Sequence, residues 1–270
     1  MTSYARAWQQ WFPVIERAAA PLSVRMIALA ALEEHHRVLD IGTGIGEPAI
    51  TAARAVPRGE VIAIDPDPEM IELARERAAL ENLRNVTFLA QRVEELRLPL
   101  HSMDAILCRW SLMFVDDVPA ALGGLRRLLR PSGRLVAATW GPPACVPALS
   151  LARAVIHDHF GQEPPRYGLK TAFALSDGEV LLATFRAAGF PTVQQERIPL
   201  TYEFPSEETY IQFRADCSGP LFSAVGPVSP AAQKQALEAV ATALDRFRTA
   251  DGSFRLVNDA YCTVGTLRHT

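Results

Sequence analysis

The sequence predicts an α/β fold built on a parallel sheet covered by helices on both faces. Three observations predict it. Short, near-continuous apolar runs recur between residues 37 and 140, amphipathic helical patterns separate them, and a glycine-rich loop joins the first run to the first helix. Strands buried on both faces read as unbroken Val/Ile/Leu segments, and their alternation with helices marks parallel crossover units.

Residues 1–34 read as one or two helices carrying Trp8, Trp11 and Phe12. Strands are expected at 37–41, 61–65, 86–89, 105–108 and 134–140, with helices clearest at 68–83 and 119–129. Asp116 and Asp117 can cap the second of these helices, Arg126, Arg127 and Arg130 suit its negative end, and Pro131-Ser132-Gly133 stops it. Beyond Trp140 the pattern loosens. Residues 142–175 are rich in Pro and Gly, with a helix near 148–160. A helix at 177–188 leads through Gly189 into a strand near 192–198; helices at about 206–215 and 231–248 precede a last strand near 254–264. We take 142–175 and 205–250 as helical cap insertions over the ligand end of the sheet. No linker separates them, so residues 1–270 are expected to form one domain, with 1–34 as a helical lid.

The chain has 270 residues, 49% of them hydrophobic, which suffices for a sizeable core. Lys plus Arg number 27 against 30 Asp plus Glu, a net charge of −3 that lacks the basic excess of a nucleic-acid binder, so no nucleic acid partner is expected. Cys108, Cys145, Cys217 and Cys262 are scattered and form no C-x-x-C pair, which argues against a zinc site or a disulfide frame. The start lacks a charged segment followed by an apolar run, and the apolar stretch 26–32 is too short to cross a bilayer. A cytoplasmic protein without a membrane span, monomeric or homodimeric, is expected.

The segment VLDIGTGIGEPAI, residues 38–50, sets Gly42, Gly44 and Gly46 between an apolar strand and a helical run. Glycines there permit a tight turn and close approach of a ligand to the backbone. A dinucleotide fingerprint counted from Gly42 needs a small residue at position 47, where this chain has Glu47. Asp40, two residues before the first glycine, repels a pyrophosphate but attracts an ammonium group. Asp65 ends the second strand about 20 residues on, where an acid accepts from ribose hydroxyls. Two acids of this kind suit a nucleoside that bears an amino acid and no phosphate, namely S-adenosylmethionine.

With VLDIGTGIG at the loop, the Asp65 strand end, VEELRLP at 93–99, MDAILCRWSLMFVDD at 103–117 and LLRPSGRLVAATWGPP at 128–143, residues 36–142 resemble the class I S-adenosylmethionine-dependent methyltransferases, in particular the type 11 group with the ubiquinone/menaquinone-biosynthesis enzymes. The resemblance implies a Rossmann-like, seven-stranded, doubly wound sheet whose last strand is antiparallel. It implies that Asp40, Gly42, Thr43 and Gly44 lie along the methionine moiety, that Gly46 closes the turn, that Asp65 holds the ribose, and that Pro66 and Met70 line the adenine. The family's acid after the third strand is replaced here: in Gln91-Arg92-Val93, Arg92 only donates. The Val93 amide can still serve the adenine, whose amine then meets Gln91 or water. Arg109 and Trp110 are placed beside the sulfonium.

Plainer readings stand beside these. Asp40 can serve loop amides, Asp65-Pro66 can be a helix-entry turn, and Met70 packs at helical spacing with Leu73. Trp110 reads equally as core or pocket wall, and Trp8, Trp11 and Phe12 equally as a core stripe or a lid over the acceptor. Tyr167, Tyr202, Tyr210 and Phe213 read mainly as packing. His157 and His159, at i and i+2, point to different faces of a helix, so no metal is expected there. His35, His36 and His101 read as solvated. Methyl transfer is an in-line displacement that needs alignment and a dry site but no covalent intermediate, with S-adenosylhomocysteine as product. A base for an oxygen acceptor is unassigned, with His157, His159 and Asp216 as candidates. The absence of an Asn/Asp-Pro-Pro-Tyr/Phe run at Cys108-Arg109-Trp110-Ser111 and the aromatic flanks point to a small hydrophobic acceptor, a quinol, phenol, polyketide or prenyl derivative methylated on oxygen or carbon. The competing classes are a non-catalytic S-adenosylmethionine or S-adenosylhomocysteine binder and a nicotinamide oxidoreductase.

Overall fold

In a computed structural model, which describes residues 3–218, 221–223 and 225–267, seven strands form one sheet. They are β1 (Arg37–Ile41), β2 (Glu60–Asp65), β3 (Val86–Ala90), β4 (Met103–Arg109), β5 (Leu129–Trp140), β6 (Thr192–Phe204) and β7 (Phe254–Thr266), in the order β3-β2-β1-β4-β5-β7-β6. Strands β1 to β5 pair in parallel and β7 runs antiparallel to β5. The chain crosses from one side of β1 to the other before β4. That switch point opens a crevice at the carboxyl ends of the strands, where such sheets take ligands.

The helices are α1 (Ser3–Ala30), α2 (Ala49–Ala55), α3 (Pro68–Leu80), α4 (Val118–Leu128), α5 (Pro147–His159), α6 (Gly178–Ala187), α7 (Glu207–Ser218) and α8 (Pro230–Leu244). Their starts follow capping chemistry: Asp67, Asp117, Asp177 and Ser229 each accept from an amide of the first turn, with Pro at the head of α3, α4 and α8. The N-terminal segment is one helix. Pro13 and Pro21 lie inside α1, each removing a ladder donor without ending it.

The end of α4 corrects the expectation from sequence. Asp117 alone caps it, while Asp116 pairs with Arg92 and Lys170. Its stop is not Pro131-Ser132-Gly133, because the chain enters β5 at Leu129, and Arg130 leaves the helix end to bind Asp104 at 2.7 Å. Strand β6 runs to Phe204 and β7 to Thr266, longer than the apolar alternation alone indicates.

Two compact units result. One comprises the described parts of Ala20–Gly141, Gly168–Ile198 and Ala260–Thr270; its core includes Leu39, Ile64, Met103, Ile106, Leu135 and Phe185. Each such side chain contributes about 1.5–3 kcal/mol by burial. The other comprises the described parts of Met1–Ala19, Pro142–Tyr167 and Pro199–Asp259, with Phe204, Phe213, Tyr210 and Trp11 in its interior. In that unit the fully buried Asn258 accepts from the Ala148 amide at 2.8 Å, capping α5 from a strand 110 residues away.

Candidate cofactor site

The glycine loop continues β1. Gly42 and Thr43 donate their amides to the Ile64 carbonyl of β2 at 2.8 and 2.9 Å, and the turn closes as the Gly46 and Glu47 amides return to Thr43. Gly42 has φ +67°, and a Cβ there would lie 2.2 Å from Ser111 Cβ. Gly44, at φ +55°, faces open space instead. The loop is therefore pinned at its first glycine and bare at its second, a shape that lets a ligand reach the backbone. Glu47, in the position that breaks the dinucleotide pattern, is buried, accepts from Thr51 at 2.8 Å and pairs with Arg77 at 3.3 Å.

Asp40 is fully buried beneath this loop. Its Oδ2 accepts the Ala49 amide at 3.1 Å, whereas its Oδ1 has no hydrogen-bond partner, and neither does the buried Thr43 hydroxyl. Loss of water pushes the Asp40 carboxyl up to about 7, opposed in part by the neighbouring Thr43 hydroxyl, which lies close without completing a well-formed hydrogen bond, and by the Arg109 charge. A buried acid with one empty oxygen fits an ammonium group, which would both fill the oxygen and restore the ionised form.

At the end of β2, Asp65 does more than the sequence implied. Its Oδ2 accepts the Gly44 amide at 2.9 Å and its Oδ1 the Asp67 amide at 3.0 Å. The acid thus braces the glycine loop and starts α3, and burial raises its pKa. Each carboxylate oxygen retains a second lone pair, so ribose hydroxyls remain within its capacity. Pro66 is exposed and Met70 buried at the head of α3. After β3, Gln91 donates its side chain to the Glu95 carbonyl at 2.9 Å, and Arg92 is held outward by Glu94 and Asp116. Val93, half-buried, opens a short 3-10 turn.

Beyond β4, Trp110 adopts φ +57°, a conformation costing a bulky residue about 1–2 kcal/mol. Its amide donates to the Ala138 carbonyl at 2.9 Å, and its ring stacks on Trp140 at 4.3 Å. The Trp110 indole N–H is buried and unpartnered. Arg109, 7% exposed, donates to the Ser23 hydroxyl at 2.7 Å and lies 5.3 Å from the Trp110 ring centre. Ser111 donates to the Ile41 carbonyl, tying this strand end back to the glycine loop. All thirteen candidate cofactor residues thus belong to one unit and stand at the ends of β1 to β4 or at the head of α3. Ser23, Ser111 and Trp140 were not singled out from sequence as site residues; Trp140 figured there only as the end of a strand.

The remaining candidates lie in the other unit. Trp11 is buried, donates to Asp216 Oδ2 at 2.9 Å and meets the Phe213 ring edge-on at 5.4 Å; Trp8 and Phe12 are half-buried on the same helix. Asp216 Oδ1 accepts from Gln212, so both its oxygens are engaged. His159 is exposed. His157 is buried, with Nδ1 2.9 Å from the Glu163 carbonyl and Nε2 without a partner. Among the described residues one group, Glu33, His35 and His36, brings three metal-ligand atoms within 4.8 Å. His36 Nδ1 accepts the Glu33 amide, which puts the ring proton on Nε2, the nitrogen facing Glu33 and needed by a metal.

A family model described as a methyltransferase domain matches residues 38–133, wholly within the glycine-loop unit. A demethylmenaquinone methyltransferase of Deinococcus radiodurans is 32% identical over 180 residues, 61% of this chain and 72% of the relative. A malonyl-(acyl-carrier protein) O-methyltransferase of a Paenibacillus is 30% identical over 175 residues, 63% of this chain and 62% of that one. The solved structure of the YcgJ protein of Bacillus subtilis shares the fold, with a TM-score of 0.61 over 92% of this chain and 98% of that one, at 22% identity.

Proposed function

Because the chain belongs to the S-adenosylmethionine-dependent methyltransferases, we propose that it methylates a small, largely apolar acceptor on oxygen or carbon, of the quinol, phenol, polyketide or prenyl kind. The observation that carries the cofactor assignment is Asp40, a fully buried carboxylate with an unpartnered oxygen under a glycine turn. Asp40, Gly42, Thr43, Gly44 and Gly46 take the methionine part; Asp65 takes the ribose; Pro66, Met70, Gln91 and Val93 border the adenine, with Arg92 held aside by its acids. Arg109 and Trp110 flank the sulfonium end. When bound, the cofactor supplies an electrophilic methyl group on sulfur.

The chain's own contribution is alignment and exclusion of water. The rigid Trp110–Trp140 stack and the Gly42–Ser111 contact fix the strand ends against which the cofactor lies. For an oxygen acceptor, His157 is the best suited of the three candidate bases by its own hydrogen bonding. Its Nδ1–H donates to a carbonyl and leaves a buried, unpartnered Nε2 lone pair, whereas Asp216 is engaged by Trp11 and Gln212. Trp8, Trp11 and Phe12 contribute to the acceptor's cover. We place this action in the cytoplasm. No helix of the described residues is long and apolar enough to cross a membrane.

Calorimetry tests the cofactor: S-adenosylmethionine and S-adenosylhomocysteine bind, while NAD and NADP give no heat. A turnover screen over phenols, quinols and polyketides, read as S-adenosylhomocysteine formed, tests the acceptor. Preferential binding of NAD, or turnover confined to hydrophilic acceptors, overturns the corresponding half.

A further inference from the structure

Arg214 lies on α7, and only 7% of it is exposed. Its Nε is buried without an acceptor, and no carboxylate of the described residues pairs with it. Asp216, two residues on, is committed to Trp11 and Gln212. A guanidinium does not shed its proton under physiological conditions, and buried charges in native proteins are paired. Among the described residues Arg214 therefore has no counter-ion.

The surroundings say what kind of counter-ion fits. Arg153, half-buried on α5, lies near enough to repel Arg214 and so adds positive charge. Tyr167 and Tyr210 also lie within electrostatic reach, and burial keeps both hydroxyls protonated. The guanidinium carbon is 5.8 Å from the Phe213 ring centre, and that ring packs at 5.2 Å on Phe204 and 5.4 Å on Trp11. His157 follows Arg153 by one helical turn, on the same face of α5. The Tyr210 hydroxyl is engaged by the Pro147 carbonyl and the Ala152 amide, and the Asp216 carboxylate by Trp11 and Gln212. Two cations and aromatic walls are left to match one negative charge on an apolar body. A planar carboxylate suits a guanidinium best, since it accepts two parallel N–H bonds.

We propose that this unit holds a carboxylate-binding site centred on Arg214, with Arg153 as the second cation, and that it takes an aromatic or otherwise apolar carboxylic acid. The site rests on this unit alone; that its occupant is the methyl acceptor rests on the methyl-transfer reading above. The chemistry predicts an acceptor with an acidic group in addition to its apolar frame, or one whose carboxylate is itself methylated.

The test is calorimetry and thermal unfolding of the full chain with benzoate and naphthoate, against benzamide and naphthamide as neutral isosteres, without S-adenosylmethionine. The carboxylates bind and raise the melting temperature, and the amides bind roughly 10- to 100-fold more weakly, the range for a charged hydrogen-bonded pair. Arg214→Met removes that preference. Without ligand it is at least as stable as the wild type, since it deletes an unpaired buried charge of similar shape. Equal binding of acids and amides by the wild type overturns the site without recourse to any variant. So does an Arg214→Met protein that is strongly destabilised, because the guanidinium then has a structural partner. A protein that binds S-adenosylmethionine but shows no carboxylate preference refutes this site and leaves the methyl-transfer reading standing; the converse result does the reverse.

Discussion

Replacing Asp40 by Asn separates what the carboxylate does for the fold from what it does for the cofactor. Burial holds the Asp40 carboxyl up to about 7, against an ordinary value of 3.8. At about 1.4 kcal/mol per pH unit, that difference corresponds to about 4 kcal/mol. The folded state binds this proton more tightly than the unfolded chain does. The group's contribution to stability is therefore complete below pH 3.8, declines as pH rises to about 7, and is then flat. Asn keeps the acceptor for the Ala49 amide but carries no charge. At about pH 8 the cofactor-free variant is thus more stable than the wild type by about 1–3 kcal/mol, less than the full figure because water enters a loosened loop. Urea unfolding across the pH range measures this as the difference in slope between the wild type and Asp40→Asn, since Asp65 contributes a slope of the same sign to both. Cofactor binding moves the opposite way. The ammonium of S-adenosylmethionine draws off the Asp40 proton, so wild-type binding below about pH 7 releases protons, seen by calorimetry in buffers of different ionisation enthalpy. Asp40→Asn binds about 1.5–3 kcal/mol more weakly and releases none. A variant that is less stable at high pH, or that binds with wild-type affinity and proton release, refutes the reasoning.

Asp65→Ala is expected to weaken cofactor binding by about 1.5–3 kcal/mol and also to cost about 1–3 kcal/mol of stability, because the Gly44 and Asp67 amides lose their acceptor; unchanged affinity in the folded variant removes Asp65 from the site. Gly42→Ala combines a left-handed φ with a 2.2 Å approach to Ser111 and lowers stability by about 2–5 kcal/mol in chemical denaturation, whereas Gly44→Ala costs only the conformational part. Asp216→Asn keeps one acceptor for Trp11 and loses about 1 kcal/mol of stability with turnover retained; a collapse of turnover at intact stability makes Asp216 the base instead. Removal of residues 1–12 strips Trp11 from Phe213 and Asp216. It abolishes turnover while S-adenosylmethionine affinity persists, and full turnover by the truncated chain ends the lid proposal.

The cofactor loop was legible because its signals are local. Glycines are required where φ is positive, an acid two residues earlier sits on the same strand, and the order of apolar runs fixes which strand ends meet. What escaped notice depends on partners distant in sequence. Nothing near Asp65 announces that it braces Gly44, 21 residues away, or near Asn258 that it caps α5. The start of β5 was missed because Pro131-Ser132-Gly133 looks like a turn; the strand tolerates it where its pairing with β4 shifts register between Met103 and Ala105. Whether residues 1–34 make one helix or two was open in the sequence; the structure has one helix, which runs through Pro13 and Pro21. Arg214 gave no signal at all, since a charged residue on a short helix is ordinarily solvated.

The buried polar atoms left without partners connect these findings. Among the described residues there are six: Asp40 Oδ1, Thr43 Oγ1, Trp110 Nε1, Thr139 Oγ1, His157 Nε2 and Arg214 Nε. Folding leaves such groups unmade only at a cost of about 1–3 kcal/mol each, so they are rare and call for a reason. Here they are not scattered. The first four stand at the carboxyl ends of β1, β4 and β5 in the glycine-loop unit, beside the switch point of the sheet. The other two belong to α5 and α7 of the second unit, one a basic nitrogen and one a cation. Two of them have the polarity their proposed ligands need: the Asp40 oxygen where an ammonium is placed, and the Arg214 charge where a carboxylate is placed. If the unmade bonds were accidents of packing, replacing Arg214 by Met or Asp40 by Asn would stabilise the protein and leave every binding measurement unchanged. Stabilisation together with lost binding is the result that ligand-satisfied groups require.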